Sequence, residues 1–122
     1  MKRFLAGAAL AALHASAAVA APRAESALEC GVAADMAVVA DSLAREQIDH
    51  LKATAIMARI YDVARSQRGK DLMQDIIDAA YSAGRGATAP SADTSGQKFA
   101  EELFTTCMKS GGDMDRILGR RS

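Results

Sequence analysis

The chain is 122 residues long, half of them hydrophobic, and its 15 basic and 15 acidic residues cancel to a formal charge of zero. That length supports one domain around one core, and the balanced charge speaks against nucleic acid or an anionic membrane surface as partner. Aromatic residues make up only 4% and tryptophan is absent, so stacking platforms for bases or sugars are scarce; abundant alanine and few β-branched residues favour helix over strand.

Residues 1–20 read as a cleaved secretory leader. Lys2 and Arg3 form a positive n-region, Phe4 to Leu13 a short apolar stretch, and Ala18-Val19-Ala20 a small-x-small site with cleavage expected after Ala20. The apolar stretch is far shorter than the ~20 residues needed to span a bilayer, so no stable membrane anchor is expected after cleavage. The expected location is the periplasm or the exterior. Lys2 and Arg3 leave with the leader, which gives residues 21–122 a formal charge of −2.

A first helix is predicted over Ala27–Arg45, opened by an S-x-x-E capping box at Ser26 and Glu29. Leu28, Val32, Met36, Val39 and Leu43 form its apolar stripe, and beside it runs a small-residue stripe of Cys30, Ala33, Ala37, Ala40 and Ala44. A helix apolar over so much of its surface belongs at the centre of its domain. A second helix is expected after Asp49, a good N-cap, running to about Ser66 with Ala53, Ile56, Met57, Ile60, Val63 and Ala64 inward, and ending at Arg68-Gly69. A third starts near Asp71 and carries Leu72, Met73, Ile76, Ile77, Ala80 and Tyr81, with Asp75 and Asp78 facing water and Gly84 and Gly86 as its stop. Ala87 to Gly96 has no periodicity and reads as an exposed loop. Thr94 and Gln97 then open a fourth helix holding Phe99, Leu103, Phe104, Cys107 and Met108 on one face, closed by Gly111-Gly112. Residues 21–112 are thus the helical domain. The tail, 113–122, has Met114, Ile117 and Leu118 spaced for one or two helical turns, either a cap on the bundle or a docking segment.

Two cysteines, an even count in an exported chain, point to one disulfide between Cys30 and Cys107. Both fall on apolar arcs of their helices, so both point to a shared core. Such a bridge closes a loop of roughly 78 residues, for which chain entropy gives ~4.5 kcal/mol. The expected fold is all-α: a small four-helix bundle closed by one disulfide, with a short fifth helix at the C-terminus as a variant.

The candidates for chemistry are few. His50 is the only histidine outside the leader, since His14 lies within it, and the natural reading is a solvated first-turn residue beside the capping Asp49 rather than a general base. Asp71, Asp75 and Asp78 share a helix face, but no EF-hand loop or ExxH motif accompanies them. Arg65, Arg68 and Lys70 make a small basic cluster that complements a helix C-terminus or meets an acidic partner. Met36, Met57, Met73 and Met108 sit on core stripes and no MxxM pattern exists, so packing is preferred over a Cu(I) site. Tyr61 and Tyr81 are expected to be partly buried. No cofactor, metal or catalytic residue is assigned.

Cys30, an alanine-rich helix ending Leu43-Ala44-Arg45-Glu46, Ile60-Tyr61, Ala80-Tyr81 and a late Cys107 together resemble a group of small exported two-cysteine helical proteins of proteobacteria. The resemblance implies a disulfide-tied periplasmic helical domain with no known chemistry. Phe99 to Cys107, followed by Ser110 and Leu118, is similar more distantly to immunity proteins that inhibit secreted type VI cell-wall amidases. The architecture is also similar to small periplasmic acid-stress chaperones. The sequence therefore predicts a non-enzymatic periplasmic binding or interaction protein with an unknown protein partner, an amidase inhibitor and a stress chaperone being the alternatives. It leaves monomer and homodimer both open.

Overall fold

A computed structural model of the protein describes residues 23–62, 66–82 and 92–119, the first four of the last stretch by backbone only. The leader expected at 1–20, the glycine stop at 84–86 and Arg120-Arg121 lie outside the described residues. Among the described residues five helices follow one another: α1 (Ala27–Arg45), α2 (His50–Ile60), α3 (Gln67–Tyr81), α4 (Ala92–Lys109) and α5 (Asp115–Leu118). No strand occurs among the described residues. The fold is the expected all-α bundle with a short fifth helix, closed by a Cys30–Cys107 disulfide whose Cα atoms lie 5.7 Å apart.

α1 is the central helix, packed most extensively on α4 and then on α3, with α2 against α1 and α3 and α5 against α3 and α4. The stripe that is sealed is the small one: Cys30, Ala33, Ala37 and Ala40 are buried with Met36, whereas Val32, Val39 and Leu43 are only partly buried and Leu28 is 78% exposed. The small face leaves room for the bulk that α4 brings to the same cluster, Phe99 and Leu103, and large against small is how facing helix surfaces fill space. On α4 the sealed row is Phe99, Leu103, Thr106 and Cys107. Phe104 and Met108, expected on that face, lie at its flank and are 40% and 47% exposed, because each is rotated off the buried row by the 100° step of the helix.

The helix ends explain the boundaries. Ser26 accepts from the Glu29 amide, and Glu29 Oε1 reaches back to the Glu25 amide, one residue beyond the usual capping-box partner. At the other end of α1, Gln47 N–H donates to Ala44 O and Ile48 N–H to Leu43 O, both at 3.0 Å. That is a Schellman motif, with Gln47 at φ 59° in the left-handed position that glycine normally fills. The end of α4 repeats the motif with the customary residue: Gly111 is at φ 62° and Gly112 N–H donates to Cys107 O.

α2 is shorter than the sequence predicts. It is capped by Asp49 as expected, but ends at Ile60, where Tyr61 turns extended. Arg68-Gly69 does not terminate it. Ser66 caps α3 by accepting from the Gly69 amide, so both residues belong to the first turn of α3. α4 starts at Ala92, ahead of the Thr94–Gln97 box, and Gly96 lies within it. A Cβ at Gly96 would stand 3.5 Å from Asp41 Oδ2 and 3.7 Å from Val38 O, ordinary contact distances, so α4 runs close to α1 there with room for no more than a small side chain.

The N-terminal and C-terminal segments are tied together. Ala24 N–H donates to Gly112 O, and Met114 is fully buried in the core, with Ile117 and Leu118 packed beside it. Arg23, only 3% exposed, donates to Gly119 O at 2.7 Å and lies 3.4 Å from both Asp75 and Asp115.

Candidate functional site

An apolar cleft of about 400 Å³ opens where α1 and α3 diverge around the end of α2. Val32 and Met36 form one wall from α1, Leu72 the other from α3, and Ile60, 56% exposed, stands at the edge. α2 ends beside this space, Ile60 being its last residue and Tyr61 turning extended. The volume falls in the range of small-ligand and side-chain pockets.

The polar groups around the cleft are committed to each other. Tyr61 donates its hydroxyl to Asp35 Oδ2 across the α1 side. Burial, and then that hydrogen bond to a carboxylate, push the phenol well above its usual value, so it stays protonated. At the other end, Arg68 grips Glu29 with two guanidinium nitrogens, 2.7 Å to each carboxylate oxygen. It also lies 3.3 Å from Glu25 and donates to Arg23 O at 3.0 Å. The Arg68 hydrogen bond holds the Glu29 carboxyl below the usual range, and the same bond raises the guanidinium further. The cleft therefore has apolar walls, with the Glu29–Arg68 ion pair and Asp62 as its charged lining.

The residues singled out in the sequence are distributed as follows. His50 is not merely solvated beside Asp49. Its Nε2 lies 2.8 Å from Asp78 Oδ1, and its ring meets Tyr81 edge-on at 5.3 Å. Gln74 also donates to Asp78, and the Tyr81 hydroxyl donates to Ile48 O at 2.7 Å, so the group ties the start of α2 to α3. Burial and the nearby Asp49 charge raise the Tyr81 phenol above its usual value. The acidic face of α3 is correspondingly not a plain solvated one: Asp71 accepts from Gln67, Asp75 pairs with Arg23 and Asp78 with His50. Among the described residues no group of three or more His, Cys, Asp or Glu is placed to hold a metal ion.

Of the basic cluster, Arg68 enters the cleft rim, Lys70 is exposed and Arg65 lies outside the described residues. Met36, Met57 and Met73 are buried as expected. Both tyrosines are partly buried, Tyr61 at the cleft and Tyr81 at the α2–α3 contact. The disulfide itself borders a second, smaller cleft of about 230 Å³ together with Ala24, Met108 and Gly111. No described helix is long and apolar enough to cross a membrane.

Arg23 has no local signature in the sequence and is the residue that sequence reasoning misses. The large cleft is missed as well: it lies beside the end of α2, and the apolar periodicity of the sequence continues past that end through Val63 and Ala64.

Compared with known proteins, the chain matches no family model, and no curated protein or solved structure is similar to it.

Proposed function

We propose that this chain is a non-enzymatic binding or interaction protein of the periplasm or cell exterior, working through the cleft between α1, α3 and the end of α2. The observation that carries the reading is the cleft itself: an open apolar space of about 400 Å³ flanked by Ile60 and Leu72, beside polar groups already satisfied by one another. Polar groups engaged in this way hold a binding surface in shape. The disulfide supports an oxidising location, and the leader-like residues 1–20 support export. The test is a photo-crosslinking amino acid placed at Ile60 and, as a control, at exposed Lys109 of α4, in cells making the full chain. A discrete adduct from position 60 and none from 109 is the expected result. Equal labelling at both positions would overturn the role of the cleft, and turnover of a substrate by the pure protein would overturn the non-enzymatic reading.

A further inference from the structure

We propose that the smaller cleft is where a small dithiol exchanges with the Cys30–Cys107 bridge in the folded protein, and that the clasp of Arg23 and Ala24 on the C-terminal segment gates this exchange. Every lining residue of that cleft, about 230 Å³ in volume, comes from one of two stretches, 24–30 and 107–112. Both cysteines are among them, yet Cys30 is 3% exposed and Cys107 is fully buried, so the cleft reaches the bridge without presenting it to solvent.

Ala24 is what covers it. This residue is buried in the core cluster that holds both cysteines, and its N–H donates to Gly112 O on the opposite wall. Arg23 fixes it in place through Gly119 O, with Asp75 and Asp115 each 3.4 Å away. Drawing Arg23 and Ala24 aside removes one wall of the cleft and leaves α1 intact, since that helix begins only at Ala27. The clasp also carries a cost while shut: Arg23 Nη1 is buried with no hydrogen-bond partner among the described residues. Opening returns that nitrogen to water, which offsets part of the loss at Asp75, Asp115 and Gly119. Local opening of an end segment costs less than unfolding the domain.

In the open form, a thiolate of the dithiol attacks one sulfur of the bridge. A mixed disulfide forms, and the electron pair of the broken S–S bond leaves on the other cysteine, which takes up a proton. The second thiolate of the reagent then attacks its own mixed-disulfide sulfur, closes a ring and expels the remaining cysteine, which is protonated in turn. The protein gains two electrons and the dithiol loses two.

The test is reduction of the full oxidised chain by dithiothreitol, with free thiols trapped by alkylation and counted by mass, in increasing urea below the unfolding transition. The rate should stay nearly flat in urea, because opening the clasp exposes little surface. Arg23→Ala should raise it about tenfold. Asp115→Asn weakens the same clasp at a partner 34% exposed and should raise it about threefold, which keeps the gate testable if Arg23→Ala does not fold. Met57→Ala opens a cavity on α2, which packs on α1 and α3, and so lowers global stability away from the clasp; it should leave the rate within about twofold of the parent. A rate that climbs with urea as steeply as the unfolding constant, or that rises in Met57→Ala in step with its lost stability, would show that the bridge is reached only by global unfolding and would overturn the proposal. Parent-like rates in Arg23→Ala and Asp115→Asn would overturn the gate.

Discussion

Reducing the Cys30–Cys107 bond should remove most of the stability of the domain. The two cysteines are 77 residues apart in sequence. Closing a loop of that length withdraws from the unfolded chain an entropy worth about 4.5 kcal/mol at 25 °C. Whole domains of this size are stable by only about 5–15 kcal/mol. The native state should barely notice the cut, because both sulfurs sit in the core and a buried thiol packs as a small apolar group. The loss should thus appear in the unfolded state: urea unfolding with and without a phosphine reductant should show stability falling by about 4 kcal/mol and the m-value rising as the unfolded chain expands. In thermal unfolding, the midpoint should drop by roughly 15–30 °C for a domain of about 100 residues. A Cys30→Ala/Cys107→Ala variant should fall at least as far, since it also loses two buried sulfur atoms. A change below about 1 kcal/mol, with both thiols shown free, would refute the reasoning and mean that the packing of α1 on α4 already restricts the unfolded chain as the bond does.

Gln47→Gly should stabilise the protein by about 0.5–1 kcal/mol in urea unfolding, because it relieves a left-handed residue in the α1–α2 turn; destabilisation would show that the Gln47 side chain holds the turn. The two tyrosines, Tyr61 and Tyr81, should not ionise near the ordinary phenol value of about 10. Their native values are raised, so the stability they contribute is complete below that pH and is lost as pH climbs through the native values. Tyrosinate absorbance should therefore lag behind that of a denatured control, and a normal titration of either residue would refute its burial. Arg23→Ala should cost about 2 kcal/mol by removing a buried guanidinium that pairs with Asp75 and Asp115 and bonds Gly119 O, and should speed amide exchange at Leu118 and Gly119. An Asp115→Asn change added to it should cost less than it does alone, as coupled partners require; full additivity would show that the pair does not interact.

How far the sequence discloses this molecule depends on the range of the interactions involved. The bounds of α1 are legible to the residue, since its cap and its periodicity are local, but not that its small stripe is the sealed one, which depends on the bulk α4 brings. The disulfide is legible too, because the chain has just two cysteines and each lies on an apolar helix face. The α2–α3 boundary is not. Val63 and Ala64 keep the helical rhythm going and Gly69 resembles a stop, while the signal that decides, Ser66 capping the Gly69 amide, is one serine in an unremarkable stretch. The acidic face of α3 is legible as acidic but not as paired. Asp75 meets Arg23 and Asp78 meets His50, partners 52 and 28 residues away, and no periodicity reports a polar contact at that distance. The cleft inherits both difficulties: its walls follow from helix stripes, but it lies beside the unforeseen end of α2, and its Glu29–Arg68 pair joins residues 39 positions apart.

The contact between Arg23 and the carbonyl of Gly119 joins positions 96 residues apart, and it sets an order on assembly. A chain emerging from its N-terminus first cannot seat Arg23 until its last helix has followed. Until then Asp75 has no arginine, Gly112 has no Ala24, and Cys30 has no Cys107. Contacts of such long range are also slow to form. The first three helices can pack on one another before that, so it is the joining of the two ends that comes last.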